Sequence, residues 1–386
     1  MSGNELLDLK QTNIKRVLNR ESGTWVPSVF SSAFATCAYR NITAVEAMKD
    51  PALYTESMTA IFADMWVDSI AKIGGWFTPD LPDYFQPIQH KFAPDGTTPE
   101  NIQCLYMNSD EYPEMIEDPD RFVAQRMLPR KYPHLFTDPE WAETALKKYA
   151  EAKARNAQLS KLVEAELRDK YGIISILDPA ESFINPMDHL FDSFRGFKGT
   201  LMDLRRQPQN VKAAAQKLWE TKCLKHHNTP VSAPYPLAMQ VPHIPTYLST
   251  KQFEELYWPY EKAEIMRLAN GGNKAYILLE GQWKRYLHLF REVPKDSCIL
   301  RVDDDDVYEI HKEIGDYQLI CGGVPAMSLR LDSIDKIKDE IKRLIDTCAV
   351  DNGFLFGTDK SMVAPGDINQ NVVEAFNFVH EYSSQH

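Results

Sequence analysis

Short apolar runs alternate along this chain with longer segments in which apolar residues recur every three or four positions. Residues 332–347, DSIDKIKDEIKRLIDT, show the longer pattern, which is typical of one face of a helix. The short runs are rich in β-branched and aromatic residues and predict strands. The predicted strands span residues 25–30, 67–73, 173–177, 237–241, 276–279, 298–302, 319–320 and 354–356.

Strands that alternate with helices of this length predict βαβ units with parallel pairing. Eight predicted strands favour a closed (β/α)8 TIM barrel, although periodicity alone is also compatible with an open doubly wound sheet. The length of 386 residues suits one barrel domain, residues 1–386, that carries insertions. A content of 44% hydrophobic and 25% charged residues is that of a globular protein with a substantial core.

Residues 79–140 interrupt this alternation. They are rich in proline, aspartate and aromatic residues and predict a long insertion between early units of the barrel. Insertions of this length are commonly functional, so we expect a lid-like or interface element. The alternative is an irregular excursion that packs on the barrel and has no catalytic role.

Charge and cysteine usage narrow the class of protein. A net charge of -12 without a cluster of Lys and Arg argues against binding to nucleic acid. No apolar run approaches the ~18 residues of a membrane-spanning helix. The six cysteines are scattered without a CxxC pair, which favours reduced thiols and a cytoplasmic protein.

Polar residues follow several of the predicted strands directly. Glu280 and Gly281 end the run 276–279, and His243 follows the strand near Met239. The carboxyl ends of barrel strands meet at one mouth, where barrel active sites lie. We therefore expect a shared polar site there. The other strand-end residues are those of 303–306, Cys321 and Asp359.

The sequence also resembles a known family. The segments FRGFKGTLMDLRRQPQNV (194–211), LSTKQFEELYWPYEKAEI (248–265), GGVPAMSLRLDSIDKIKDEIKRLID (322–346) and INQNVVEAFNFVHEY (368–382) resemble the uroporphyrinogen decarboxylase superfamily. The resemblance implies a (β/α)8 barrel and either of two activities. Some members are cofactor-free decarboxylases, and others are corrinoid-linked methyltransferases that commonly use zinc.

The decarboxylase branch carries an arginine-rich motif near its first strand, and this chain offers only Arg40 there. A substrate with many carboxylates needs several cationic partners, so classical uroporphyrinogen decarboxylation is not expected. The methyltransferase branch carries a His-x-Cys pair where this chain has Leu278 and Glu280, and a further cysteine near Asp359.

The usual thiolates are thus absent, but zinc also accepts carboxylate and imidazole ligands. The resemblance implies a zinc site drawn from Glu280, Asp359, Cys321 and His243. Alternatively, Glu280 or Asp359 acts directly as an acid if burial raises its pKa.

The resemblance further implies that the methyl group of a small methoxylated compound, such as an aryl methyl ether, or of another methylated compound passes to cob(I)alamin. The chain has no Asp-x-His-x-x-Gly motif, so the cobalamin would arrive on a separate corrinoid protein. A homodimer is also implied. The alternatives are a cofactor-free decarboxylase of a small carboxylated substrate and a non-catalytic binding relative.

Further residues are candidate substrate contacts, each with a structural alternative. His243 is either a ligand contact or a structural histidine, and Cys321 is either a ligand or a small buried residue. The remaining candidates are Asp188 and His189, with helix capping as the alternative, Arg195, with a structural ion pair as the alternative, and Trp25 and Trp283, with core packing as the alternative.

Overall fold

The chain folds into parallel β-sheets flanked by helices. The structure is a computed structural model that describes residues 3–74, 90–102, 105–177, 182–224 and 237–385. Its strands are β1 Val29–Ser31, β2 Ser69–Lys72, β3 His90–Phe92, β4 Pro99–Asn101, β5 Ile174–Ser175, β6 Ser182–Phe183, β7 Leu237–Gln240, β8 Lys274–Leu279, β9 Cys298–Val302, β10 Leu319–Val324 and β11 Phe354–Thr358.

Helices separate most of these strands. The α-helices are α1 Gly3–Leu18, α2 Ala44–Ala47, α3 Pro51–Thr59, α4 Tyr112–Glu117, α5 Pro119–Phe122, α6 Leu128–Lys131, α7 His134–Thr137, α8 Pro139–Tyr171, α9 Pro186–Asp188, α10 Gly196–Arg206, α11 Pro208–Leu218, α12 Thr250–Gln252, α13 Trp258–Asn270, α14 Val307–Ile314, α15 Ala326–Leu331, α16 Ile334–Cys348 and α17 Gln370–Ser383. π-helical turns span Val123–Met127, His189–Phe194, Trp219–Cys223 and Phe253–Tyr257, and 3-10 turns span Ala35–Arg40, Ala60–Ala63, Pro245–Tyr247, Lys284–Glu292 and Pro365–Asp367.

The strands form two parallel sheets and one antiparallel hairpin. One sheet has the order β1-β2-β5, the other has the order β11-β10-β9-β8-β7-β6, and β3 pairs with β4 in the hairpin. Beyond these sheets, an isolated parallel bridge joins Ser28 to Phe356, whose backbone N–H donates to Pro27 O at 2.8 Å. The parallel α/β arrangement is confirmed. A closed eight-stranded barrel stays a prediction, because residues 178–181, between β5 and β6, lie outside the described residues.

Both sheets contribute to one apolar cluster on their inner faces, which we call the inner cluster. Alternate residues of a strand point to opposite faces, so Ile299 joins the inner cluster while Leu300 packs with the outer helices. The buried members of the inner cluster are Ile14, Val17, Leu18, Val29, Ala71, Ile176, Leu177, Leu237, Tyr276, Ile299, Leu319, Cys321 and Leu355.

Strand prediction works best where an apolar run ends in charged residues. The predicted strand 298–302 coincides with β9, whereas β10 extends to Val324, beyond its predicted end. The extension includes Gly323, where an added Cβ would lie 1.6 Å from Gly357 O. Glycine therefore allows the two backbones to pack closely in a stretch that resembles a turn in the sequence.

Part of the predicted insertion packs into the core of the fold. Tyr112, Met115 and Phe122 are buried in the main core, and the Tyr112 hydroxyl donates to Asp203 Oδ2 at 3.0 Å. Residues 79–89 and 103–104 of the insertion lie outside the described residues. Helical residues of the segment 112–122 thus pack into the core, and the lid or interface role of the insertion stays a prediction.

Across the ranges that the structure describes, no helix combines the length and the apolar character needed to span a membrane.

Candidate functional site

A buried aspartate fixes the loop that follows β7. Asp188 Oδ1 accepts hydrogen bonds from the backbone N–H groups of His243 and Ile244, both at 2.9 Å. Its other oxygen accepts one from the Tyr257 hydroxyl at 2.7 Å. Burial raises the pKa of Asp188 to about 7, although these hydrogen bonds act in the opposite direction. Asp188 therefore positions His243, and both of its oxygens are already engaged by the protein.

The imidazole of His243 lies between two carboxylates. Its Nδ1 is 2.9 Å from Asp192 Oδ2, and its Nε2 is 3.5 Å from Glu280 Oε2. Burial alone lowers the pKa of His243, but the hydrogen bond and charge of Asp192, with the charges of Glu280 and Asp188, raise it to about 9. We conclude that His243 is an imidazolium at neutral pH and carries a proton on both nitrogens.

Asp192 lies in the π-helical turn His189–Phe194. Such turns widen a helix locally and occur frequently at functional sites. The turn follows α9, whose residue Asp188 holds the His243 backbone, so one short segment orients both the backbone and the ring of His243.

Glu280 is the first residue after β8, as the sequence predicts. Burial raises its pKa, His243 lowers it, and the negative charges of Asp303 and Asp192 raise it further. Gly281 follows with a φ of +78°, and its N–H donates to Asp303 Oδ2 at 3.0 Å. A left-handed glycine thus turns the chain immediately after the strand and leaves the Glu280 carboxylate facing His243.

Glu280 also lines a small cavity at the carboxyl ends of β8, β9 and β11. Its volume is about 250 Å³, and its walls are Leu278, Leu279, Glu280, Arg301, Asp303, Asp359, Lys360 and Ser361. Lys360 Nζ contacts Asp304 Oδ1 at 2.8 Å and Asp303 Oδ1 at 3.4 Å. Asp359 Oδ1 accepts from the backbone N–H groups of Ala326 and Lys360, both at 2.7 Å.

The four predicted zinc ligands are not gathered around one point. Cys321 is buried in the inner cluster, 3.5 Å from the Tyr276 hydroxyl, and burial raises the pKa of its thiol. Glu280 and Asp359 share the cavity, while His243 contacts Glu280 from outside the cavity wall. Among the described residues, no three His, Cys, Asp or Glu side chains form a group that could hold a metal ion. The donor set of a catalytic zinc is thus not assembled within the described ranges.

The other predicted substrate contacts are dispersed. Arg195 forms a buried ion pair with Asp203 at 2.6 Å and donates to Met107 O, which is the structural alternative. His189 is partly buried, its backbone N–H donates to Asn185 O, and burial lowers its pKa. Its proposed contact with a substrate stays a prediction.

The two predicted tryptophans lie at different ends of the strands. Trp283 is fully buried, packs against Phe253, Tyr257 and Tyr286, and donates from Nε1 to Glu280 O at 3.0 Å. Trp283 therefore supports the site through its hydrogen bond to the backbone of Glu280.

Trp25 precedes β1, at the amino ends of the strands, and not at the mouth as expected. It is buried there, donates to Asp68 Oδ1 at 2.8 Å and packs against Trp66 and His380. Trp25 is the first residue of the predicted strand 25–30, so its place in the sequence already corresponds to the amino end of that strand.

Two residues of the site were missed in the sequence. Asp192 lies inside a helical turn and carries no strand-end signal. Arg301 had a signal, because a lone cation in the otherwise apolar strand Cys298–Val302 is unusual and calls for a partner.

The fold and the site define an α/β protein with ionisable side chains gathered at the carboxyl ends of parallel strands. No protein-family model and no curated protein sequence matches this chain. Among solved structures, the chain is similar to a methyltransferase from Methanosarcina mazei, with a TM-score of 0.62 and 12% identity over 97% of this chain and 98% of that chain. At this identity the likeness shows a shared fold over nearly the whole length of both chains. Membership of the uroporphyrinogen decarboxylase superfamily stays a prediction.

Proposed function

We propose that this protein is a methyltransferase that removes a methyl group from a small methoxylated or methylated compound. The observation that carries the proposal is the array Asp192–His243–Glu280, a charged imidazole held between two carboxylates at the carboxyl ends of parallel strands. The similarity in fold to the Methanosarcina mazei methyltransferase supports it. We further propose that the two sheets form one closed (β/α)8 barrel and that the protein belongs to the uroporphyrinogen decarboxylase superfamily.

His243 would act as the acid that makes the departing oxygen a better leaving group. When the methyl–oxygen bond breaks, its electron pair stays on the oxygen, which takes the proton from His243 Nε2. Asp192 keeps the ring oriented through Nδ1 and keeps it charged. Glu280 lies 3.5 Å from Nε2, and its charge stabilises the charged ring throughout.

The acceptor would be cob(I)alamin on a separate corrinoid protein, which supplies the nucleophile that takes the methyl group. A cavity of about 250 Å³ accommodates a small molecule but not a corrinoid. We infer that the corrinoid protein would dock over the carboxyl ends of the strands, where the cavity opens.

Anaerobic incubation with cob(I)alamin and a panel of methoxylated and methylated compounds tests the proposal. We expect the cobalamin absorbance to change from the reduced to the methylated form, with one equivalent of the demethylated compound detected by mass spectrometry. The reaction should be slow with His243→Gln and unaffected by His288→Gln, whose imidazole is exposed and lies near Glu254. If no compound loses a methyl group with either free or protein-bound cob(I)alamin, the proposal is wrong.

A cofactor-free decarboxylase is the second candidate. It is favoured by one observation, the presence of Arg301 in the cavity wall, because a guanidinium binds the carboxylate that such an enzyme would release. Release of carbon dioxide from small carboxylic acids, without cobalamin, distinguishes it from methyl transfer.

A further inference from the structure

Arg301 is a buried cation on the inner face of β9. Only 6% of the residue is exposed, and it lines the cavity together with Glu280. It follows Ile299 of the inner cluster by two positions and pairs in register with Cys321, another member of that cluster. Its guanidinium therefore lies at the boundary between the apolar interior and the cavity.

The charge of Arg301 has no counterion within the described part of the protein. Its Nε and Nη2 donate to Thr358 O at 3.3 and 3.2 Å, and its Nη1 donates to Ser361 Oγ at 3.4 Å. These bonds are longer than the usual ~2.9 Å and go to uncharged oxygens, and they leave N–H groups of the fork unused. A buried charge without a partner is costly, so a guanidinium kept in this state points to an anion that arrives with the ligand.

The other charged residues of the cavity do not compensate Arg301. Lys360 pairs with Asp303 and Asp304, where its single positive charge balances one of the two carboxylates, and Asp359 accepts backbone hydrogen bonds at the start of α15. Glu280 faces His243. Of the two cations in the described cavity wall, Lys360 forms ion pairs and Arg301 forms none, so Arg301 is the one available to a ligand.

Strand register gives the depth of this cation relative to Glu280. Arg301 pairs with Leu278 of β8, and Glu280 follows Leu278 by two residues. At about 3.3 Å per residue, Glu280 lies roughly 6–7 Å closer to the opening than Arg301. This separation matches a small molecule that places one end on Arg301 and the other beside Glu280, whose carboxylate contacts His243.

We propose that Arg301 binds a carboxylate of the substrate and that the substrate is an anionic methyl donor. Its carboxylate lies at the closed end of the cavity and its methyl group lies toward the opening. The planar guanidinium suits a carboxylate, which accepts two parallel hydrogen bonds. The assignment of the ligand as a methyl donor rests on the proposed function, whereas the carboxylate site rests on Arg301 alone.

Thermal denaturation and calorimetry with 4-methoxybenzoate, benzoate and the neutral 4-methoxybenzamide test the site without any turnover. We expect the carboxylates to stabilise the wild-type protein and the amide to have no effect. Arg301→Met should weaken carboxylate binding by about 30-fold or more. Arg291→Met is the matched control, because its exposed guanidinium already pairs with Asp316 at 2.7 Å and lies outside the cavity.

A second measurement needs no ligand at all. If Arg301 is an uncompensated charge, Arg301→Met removes its desolvation cost, and the melting temperature of the ligand-free protein should rise by about 2 °C. If the role of Arg301 is purely structural, the melting temperature of Arg301→Met should fall instead. Arg301→Lys keeps the charge and should retain part of the carboxylate affinity, which guards against a folding defect in the methionine variant.

Specific outcomes would overturn the carboxylate site. These are equal binding of the amide and the carboxylate, equal carboxylate binding by wild type and Arg301→Met, a response to sulfate or phosphate only, or a lower melting temperature of ligand-free Arg301→Met. Carboxylate binding through Arg301 without methyl transfer to cob(I)alamin would instead disprove the proposed function and leave the site intact.

Discussion

His243 Nε2 lies 3.5 Å from Glu280 Oε2, across the gap between the ends of two neighbouring parallel strands. Glu280 directly follows β8, and His243 lies in the loop that follows β7. The pair is completed by Asp192 on the other side of the ring. Three segments of the chain thus position the imidazolium. A substitution in each segment should therefore alter the reactivity of His243 independently of the other two.

Replacing His243 by glutamine should remove the proposed acid while preserving the volume of the side chain. We expect kcat of methyl transfer to fall by about 10²–10³-fold with little change in KM, since general acid catalysis contributes on this scale. Steady-state kinetics with the donor found by the compound panel measures both constants. His288→Gln serves as the control, and a His243→Gln rate within about threefold of wild type contradicts the assignment.

Replacing Asp192 by asparagine should lower the pKa of His243 from about 9 toward its ordinary value near 6.5. Activity requires the imidazolium, which exists below the pKa, so the alkaline limb of the rate profile should move to lower pH. NMR titration of the histidine ring protons reports the same shift without turnover. Asp316→Asn, at a surface ion pair, should leave the titration unchanged. An unchanged His243 titration in Asp192→Asn would show that Asp192 does not hold the charge.

Gly281→Ala should destabilise the protein more than Gly272→Ala. Both glycines have a φ of +78°, so both substitutions cost about 1–2 kcal/mol of backbone strain. At Gly281 the new Cβ would also lie 2.5 Å from Thr246 Oγ1, whereas nothing lies within 4 Å of it at Gly272. Denaturant unfolding of the two variants separates the clash from the strain. Equal losses would mean that the loop after β8 adjusts freely.

Glu261→Gln should make stability less dependent on pH. Glu261 is buried, Asn185 Nδ2 donates to its Oε2 at 3.1 Å, and burial raises its pKa to about 8. The folded state therefore holds a proton that the unfolded state releases near pH 4.3. Stability due to this group is present below that pH and is lost as pH rises toward 8, at up to about 1.4 kcal/mol per pH unit.

The free energy of unfolding, measured from pH 5 to 8, should fall less steeply in Glu261→Gln than in wild type. Asp188 titrates in the same direction, so the comparison between variants carries the test. Glu255→Gln is the control, since its carboxylate is exposed and pairs only loosely with Lys251 at 3.8 Å. Parallel curves for wild type and Glu261→Gln would show that Glu261 is ionised in the folded state.

Sequence patterns located the elements that repeat a simple period and missed those that depend on tertiary contacts. The helix predicted at 332–347 corresponds to Ile334–Cys348, where Ser333 caps the first turn and the apolar residues face the core. By contrast, β5 covers only two residues of the predicted strand 173–177, and the two residues of β6 lie in no predicted strand. No local rule distinguishes such a short strand from a full one.

The candidate site shows the same division. Glu280 lies where its position after β8 predicts, because the end of a parallel strand fixes its direction. Cys321 also follows the expected pattern but belongs to β10 itself, since that strand runs through Gly322 and Gly323 to Val324. Its side chain is therefore inside the sheet and not at the rim. Asp192 depends on a widened helical turn, which has no signature that the sequence displays.

The position of Arg301 on the interior side of the cavity has a kinetic consequence. Apolar side chains of the inner cluster fill the space beyond Arg301, among them Ile299, Leu319 and Leu355. A ligand bound to Arg301 therefore has to enter and leave through the end of the cavity near Glu280. A protein partner that covers this end would block both the binding and the release of the ligand. We therefore expect a compulsory order, in which the small molecule enters before the partner docks and leaves after it departs, and substrate inhibition when the partner is in large excess.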